Sequence, residues 1–120
     1  MASKELVPAW VSGLQNAKCF RIKYWSIKIE GPAIFVEGFE VSDPSTLNRV
    51  QSDRIILRIN ATALLDSHGR VYDLIGNIDR SCPDKRKNTP AALLEKFLEG
   101  FPEDWQEIIN CYNRLKKWGL

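Results

Sequence analysis

The fold is decided by residues 19–40, which read CFRIKYWSIKIEGPAIFVEGFE. Apolar and polar side chains alternate from Cys19 onward, which is typical of a β-strand. The alternation changes phase between Tyr24 and Trp25, and this predicts either a bulge or a strand with both faces partly covered. The two expected faces carry Phe20, Ile22 and Tyr24 on one side and Trp25, Ile27 and Ile29 on the other.

A turn and a second strand follow directly. Gly31 and Pro32 form a turn signal after the first strand. Residues 33–39 are again rich in apolar and aromatic side chains, so residues 19–40 are predicted to form a β-hairpin. Gly38 lies inside the second strand, where a glycine indicates a close approach of another backbone or a bend.

Further apolar runs extend the predicted sheet. Residues 55–59 alternate as a third strand, and residues 63–65 continue it or form another. Residues 66–69 (DSHG) are typical of a tight turn, and residues 71–78 form the last predicted strand. Because all connections are short, we expect an antiparallel meander of four to five strands.

The composition changes after residue 79, and helical spacing replaces alternation. Residues 81–88 are predicted to be an exposed basic loop. Thr89 and Pro90 are typical of the N-cap and first position of a helix, and Gly100 of the position just past its end. The apolar residues of this first helix are Leu93, Leu94, Phe97 and Leu98.

A second helix is predicted after Pro102. Glu103 and Asp104 are expected in its first turn and basic residues in its last turn, since both arrangements favour the helix dipole. Its apolar stripe consists of Trp105, Ile108, Ile109, Tyr112 and Leu115. The predicted fold is therefore α+β, an antiparallel sheet followed by two C-terminal helices.

Composition narrows the classes of function. The 120 residues predict one domain, and 44% hydrophobic with 27% charged residues is a globular composition. No apolar run approaches the roughly 20 residues that a membrane helix needs, so we expect no membrane partner. The net charge of +2 equals that of the basic loop, which has three basic residues and one acidic residue.

Catalytic chemistry is not expected. His68 is the only histidine and falls in a predicted turn, while Cys19, Cys82 and Cys111 lack the CxxC spacing of zinc or redox sites. Such cysteines favour free thiols in a reducing compartment. Asp73 and Asp79 lie near one strand, and a pair of catalytic carboxylates is the less favoured interpretation. We expect no enzyme activity, no cofactor, no metal and no small-molecule substrate.

One stretch, residues 67–79 (SHGRVYDLIGNID), resembles the central signature of the SANTA (SANT-associated) domain. Residues 25–27 (WSI), 36–39 (VEGF) and 97–105 (FLEGFPEDW) resemble three other family motifs, in the family's order. Departures occur at residues 50–52 and 88–90. The motif positions, for which we expect mainly structural roles, are Trp25, Gly38, Gly69, Tyr72, Leu74, Gly76, Phe97, Gly100, Phe101, Pro102 and Trp105.

The resemblance implies a function in assembly. SANTA domains occur in the kinetochore-null and Mis18-binding family, which licenses deposition of the centromeric histone variant CENP-A. By this resemblance, residues 1–120 are a single SANTA-like domain (core 19–118), expected to be the N-terminal part of a longer nuclear protein at the centromere or kinetochore. It would be a non-catalytic scaffold module that contacts centromere-assembly proteins.

Two modes of binding are compatible with this family. The leading hypothesis is protein–protein contact, including self-association as a homodimer. The reason is that the chain has more apolar residues than two strand faces need, namely Trp10, Ile56 and Trp118. The alternative is direct binding of DNA or nucleosomes. Its candidate phosphate contacts are Lys85, Arg86, Lys87, Lys116 and Lys117.

Overall fold

The computed structural model describes residues 18–41, 48–79 and 90–118. Within them the chain forms six strands and two helices. The strands are β1 (Cys19–Glu30), β2 (Ala33–Glu40), β3 (Asn48–Gln51), β4 (Ile55–Asn60), β5 (Ala63–Asp66) and β6 (Val71–Ile75). The helices are α1 (Ala91–Lys96) and α2 (Trp105–Lys117). The α+β class and the β1–β2 hairpin are confirmed.

The sheet is mixed, so the predicted antiparallel meander of four to five strands is wrong in detail. The strand order is β3-β2-β1-β6-β5-β4. Neighbours pair antiparallel except β1 and β6, which pair parallel from Cys19 with Val71 to Lys23 with Ile75. Because β2 takes one edge of β1, the last strand pairs along the other edge. Strand β3 escaped prediction because its four residues, NRVQ, include only one apolar side chain.

The sheet must curl, because β3 and β4 lie at its opposite ends and only residues 52–54 join them. The outer strands of a flat six-stranded sheet lie about 24 Å apart, whereas this link spans at most about 14 Å. Ser52, the first residue of this link, bonds to β2. Its backbone N–H donates to the carbonyl of Val36 at 2.8 Å, and its hydroxyl accepts from the Val36 N–H at 2.9 Å.

A bulge in β1 explains the phase change in its sequence. The pairing with β2 shifts register between Lys23 and Ser26, and Tyr24 has a φ of 54°. The extra residue lets Ile22 and Trp25 both point into the core, where each is at most 1% exposed. The expectation that Tyr24 shares a face with Ile22 is wrong, since the bulge turns Tyr24 outward to 54% exposure.

Both helices begin later than predicted. Pro90 occupies the N-cap of α1 rather than its first turn, and Thr89 lies outside the described residues. Asp104 is the N-cap of α2, so Glu103 and Asp104 precede the helix, and Glu107 is the acidic residue of its first turn. The predicted basic last turn of α2 is confirmed, with Arg114, Lys116 and Lys117.

The helices close the core over the curled sheet. Just before α2, the Phe101 N–H donates a hydrogen bond to the carbonyl of Ala61 at 2.7 Å. Toward its end, the side-chain amide of Asn113 donates to the carbonyl of Gly31 at 2.6 Å. The largest fully buried side chains are Trp25, Tyr72, Phe97 and Phe101.

Candidate interaction surfaces

The first group of motif residues connects β6 to the bulge of β1, a contact that we call the Trp25 joint. The indole N–H of Trp25 donates to the carbonyl of Gly76 at 2.9 Å, and the Trp25 carbonyl accepts from the Asp79 N–H at 2.6 Å. A Cβ on Gly38 would lie 2.8 Å from the Lys23 carbonyl oxygen and 3.1 Å from the Trp25 Cα. The predicted close approach at Gly38 is therefore confirmed, and β2 has no room there for any side chain.

Strand β6 is shorter than predicted. It ends at Ile75 rather than at residue 78, because Gly76 turns the chain with a φ of 75°. This turn directs the Gly76 carbonyl at the Trp25 indole. Within β6, Tyr72 and Leu74 point into the core, at 1% and 3% exposure.

A second group of motif residues joins the helices to the turn between β4 and β5. Gly100 has a φ of 142°, and a Cβ there would collide with the carbonyl of Ala61. The Phe101 N–H donates to that carbonyl, and the Arg58 Nε–H donates to the Phe101 carbonyl at 2.8 Å. The prediction that Gly100 occupies the position directly past the end of α1 is wrong, because the C-cap of the helix is Phe97 and two residues separate it from Gly100.

A row of aromatic rings completes this contact, which we call the Gly100 joint. The ring of Phe101 meets Phe97 edge-on at 5.0 Å between centroids and Trp105 at 5.8 Å. Edge-to-face geometry is a favoured arrangement of aromatic pairs. Pro102 is partly exposed beside them. Since the three rings are at most 7% exposed, little of them is available to a partner.

The turn between β5 and β6 is organised by Asp66, a residue that sequence reasoning placed only in a turn. Its side chain is fully buried. One carboxylate oxygen accepts from the N–H groups of His68 at 2.9 Å and Arg70 at 3.0 Å. The other accepts from the Asp53 N–H and the Tyr72 hydroxyl, each at 3.0 Å. The sequence signal for this role is an aspartate at the start of a turn, because an Asp side chain accepts a hydrogen bond from the backbone N–H two residues later.

Tyr72 and Gly69 complete this turn. Burial of the phenol raises the pKa of Tyr72 to about 12, and the hydrogen bond and negative charge of Asp66 act in the same direction. Gly69 has a φ of 80° and donates its N–H to the Asp66 carbonyl at 3.0 Å. These contacts hold the turn that opens the family-like stretch.

The titratable residues weighed for catalysis make surface contacts. The exposed His68 imidazole lies 2.5 Å from the Asp53 carboxylate. The pKa of Asp53 is lowered, first by the Arg54 backbone N–H and also by His68. Asp73 forms an exposed ion pair with Arg21 at 3.7 Å. Within the described residues, no group of three or more His, Cys, Asp or Glu side chains is placed to hold a metal ion.

The basic candidates are divided between two places. Lys116 and Lys117 lie exposed in the last turn of α2, and the ammonium of Lys116 is 5.7 Å from the Tyr112 ring centroid. Lys85, Arg86 and Lys87 fall outside the described residues. Their contact with nucleic acid therefore stays a prediction.

Exposed apolar side chains mark two surfaces. Among the described residues, the large hydrophobic side chains left exposed are Tyr24, Ile56, Ile59, Leu115 and Trp118. Ile56 and Ile59 lie on the edge strand β4, and Leu115 and Trp118 lie at the end of α2, where Trp118 is 78% exposed. Trp10 falls outside the described residues.

Two grooves accompany these exposed side chains. One of about 470 Å³ is lined by Pro32, Arg54, Ile55, Ile56, Trp105, Gln106 and Asn110. A second, of about 260 Å³, lies between α1 and α2. Cys19 and Cys111 are free and exposed. No helix in the described part of the chain is long and apolar enough to cross a membrane.

Comparison with known proteins identifies the family. The chain is 33% identical to Kinetochore null protein 2 of Caenorhabditis elegans over 122 aligned residues. The match covers 100% of this chain but only 14% of that relative's length. No solved structure matches. A sequence model of the family named SANTA (SANT Associated) matches residues 20–108, which include both joints and the Asp66 turn, and the chain therefore belongs to the SANTA family.

Proposed function

We propose that this chain is a non-catalytic interaction module of a nuclear protein of the centromere and kinetochore. The observation that carries the proposal is its similarity, along its whole length, to Kinetochore null protein 2. The chain spans 14% of that relative, so the proposal concerns what this domain contributes to a centromere protein.

The finer role proposed is to help license or maintain CENP-A chromatin through contacts with centromere-assembly proteins. The placement of the motif residues supports contact through other parts of the surface. Most motif side chains are buried and hold strands and helices together, as at Trp25 and Phe101. Contact with a partner must then use exposed residues outside the motifs, such as Ile59, Leu115 and Trp118.

A binding role also agrees with the chemistry of the described surface. His68 and Asp53 pair in a turn, and Asp73 pairs with Arg21. Both pairs are open to solvent, whereas catalytic groups usually converge inside a pocket. We propose on this basis that the module acts without a cofactor or substrate of its own.

Capture from nuclear extract tests the proposal. The full chain, carrying an affinity tag, is incubated with extract that has or has not been treated with nuclease, and bound proteins are identified by mass spectrometry. Recovery of centromere-assembly proteins in both samples is expected. Recovery that nuclease abolishes would favour a DNA-mediated role, and absence of centromere proteins from both samples would contradict the proposal.

Direct binding of DNA or nucleosomes is the second candidate. One observation favours it: Arg114, Lys116 and Lys117 lie together in the exposed last turn of α2. Clustered cations bind phosphates without sequence preference and release counterions as they do so. The residues 85–87 would add to this basic surface if they act with it.

A further inference from the structure

The groove between α1 and α2 is a concave surface with a mainly apolar lining. It has a volume of about 260 Å³. Its lining consists of Pro90, Ala92, Leu93, Lys96, Ile108, Cys111, Tyr112 and Leu115. Lys96 is the charged residue of this lining, and none of the lining residues is acidic.

The spacing of apolar residues in α2 indicates two stripes rather than one. Trp105 and Ile109 are buried in the core. Ile108, Cys111 and Leu115 recur at steps of three and four residues along the groove. A helix that only covers a core needs one apolar stripe. The second stripe ends at Leu115, 47% exposed, and one further step of three leads to Trp118.

Exposed apolar surface of this kind is typical of sites that bind other proteins. The floor of the groove is firm, because Leu93 is buried and Ile108 and Tyr112 pack against the core. The outer part of the groove is open to solvent, at Leu115 and Cys111 of α2 and at Ala92 and Lys96 of α1. A partner would therefore meet a formed surface and would add to a core that is already closed.

The charged side chains at the groove itself are positive, since the acidic residues of the two helices, Glu95 and Glu107, are not among its lining residues. Lys96 lines it, and the ammonium of Lys116 lies 5.7 Å from the ring centroid of Tyr112, which is also in the lining. Arg114 lies in the same last turn of α2 as Lys116. Charge complementarity selects an occupant that carries carboxylates beside its apolar side chains.

This charge pattern disfavours the chain's own segments and a second copy. Residues 1–17 contain one acidic and one basic residue, and residues 80–89 contain four basic residues and one acidic residue. A second copy docked by the same face would bring Lys96 and Lys116 against the same cations. Each of these occupants lacks the required negative flank.

We infer that the α1–α2 groove binds an amphipathic, acidic helix of a partner protein, an inference that rests on the proposed interaction function and names its kind of partner. Apolar side chains of that helix fill the groove, and its carboxylates pair with Lys96 and Lys116. A helix suits the site because the groove is walled by two helices and presents no strand edge to pair with.

Two designed peptides test this inference. Each is fluorescein-labelled, about 18 residues long, and carries Leu and Phe at helical spacing. One has Glu on both flanks of the apolar stripe, and its matched control has Lys at the same positions. The Glu peptide is expected to bind the full chain at least about tenfold more tightly, with weaker binding at high salt. Amide NMR shifts should centre on the groove.

Three variants locate the binding. Leu115→Glu should weaken the Glu peptide at least about tenfold, and Lys96→Glu should reverse the preference between the two peptides. Ile59→Glu is the matched control, because Ile59 is 41% exposed and lies on β4. It should leave peptide binding unchanged. Circular dichroism melting of each variant verifies that the fold is retained.

Several results would overturn the inference. Equal binding of both peptides would remove the charge argument, and equal losses in Leu115→Glu and Ile59→Glu would remove the site. If Trp10→Ala shifts the amide NMR signals of the groove in the absence of peptide, the occupant is the chain's own N-terminal segment. A concentration-dependent mass that Leu115→Glu abolishes would identify a second copy.

The capture experiment separates the two proposals. If Leu115→Glu loses peptide binding but still recovers centromere-assembly proteins, the groove is not their docking site, and the interaction role stands. If the unmodified chain binds the Glu peptide but recovers no centromere proteins, the groove stands as a peptide site and the proposed function fails.

Discussion

At the scale of single residues, Asp66 connects three parts of the fold through one buried side chain. Its carboxylate is fully buried and accepts hydrogen bonds from the backbone N–H groups of Asp53, His68 and Arg70 and from the Tyr72 hydroxyl. Charged acceptors strengthen such bonds. One side chain thus joins the end of β5, the start of β6 and the segment before β4.

Removing that carboxylate should be costly. Asp66→Ala leaves the N–H groups of Asp53, His68 and Arg70 without their acceptor, and we expect a loss of about 3 kcal/mol in the free energy of unfolding. Urea denaturation at neutral pH measures it. His68→Gln is the control, since its exposed ring makes only a surface pair with Asp53, and a comparable loss there would contradict the assignment.

The buried phenol of Tyr72 predicts a dependence of stability on alkaline pH. The pKa is about 12 in the folded chain against an ordinary value of 10.0 for tyrosine, so the folded state favours the protonated phenol. Its contribution is complete below pH 10 and is lost as the pH rises through about 12. Tyr72→Phe, which cannot ionise, should fall less steeply in urea denaturation over this range. Parallel pH profiles for the two proteins would contradict the prediction.

At the scale of elements, the two joints determine how strands and helices meet. The Trp25 joint ties the β1 bulge to the end of β6, and the Gly100 joint ties the helices to the β4–β5 turn. In both joints a glycine lets two backbones approach where a side chain would collide. In this chain the motif residues Trp25, Gly38, Gly100 and Phe101 therefore lie at contacts between elements.

Gly100→Ala tests the second joint. The new Cβ would collide with the carbonyl of Ala61, so we expect a loss of about 3 kcal/mol or more in the free energy of unfolding. Gly76→Ala is the matched control, because Gly76 also has a positive φ but its Cβ would meet nothing within 4 Å. That control should lose only about 1 kcal/mol. Equal losses in urea denaturation would contradict the prediction that the contact with Ala61 adds to the cost at Gly100.

The edge strand β4 is the element from which we predict self-association. Ile56 and Ile59 are 40% and 41% exposed on it, and exposed apolar edge strands pair with other chains. Light scattering should show the mass rising with protein concentration, and Ile59→Lys should suppress the rise. A strict monomer at high concentration would contradict self-association while leaving binding to other proteins intact.

At the scale of the whole molecule, positive charge is concentrated in two places. The net charge of +2 is equal to that of residues 81–88, and a second basic cluster ends α2. The rest of the chain has 11 basic and 14 acidic residues, a net charge of −3, which suits protein partners more than a long nucleic acid. DNA binding, where it occurs, is thus expected to be weak.

Gel shifts with duplex DNA test this expectation. Weak retention is expected at low salt, with a steep loss as salt increases, because each phosphate contact releases counterions. Changing Lys85, Arg86 and Lys87 to Ala should reduce retention more than changing Lys116 and Lys117 to Ala. Absence of any retention at low salt would exclude direct DNA binding by this chain.

Local sequence pattern determined the β1–β2 hairpin, the phase change at Trp25 and the two C-terminal helices. These features depend on residues that are neighbours along the chain, so alternation, helical spacing and turn residues are enough to predict them. The motif positions were also accessible from sequence, through resemblance, but the contacts that each makes were not.

The tertiary structure alone decided the parallel pairing of β1 with β6, the curl of the sheet and the four hydrogen bonds of Asp66. It also decided that Gly100 meets Ala61 and that α1 and α2 leave an apolar groove between them. These features join residues that are distant in sequence, and no local period records which of them will meet. They depend instead on how the curled sheet and the helices share one core.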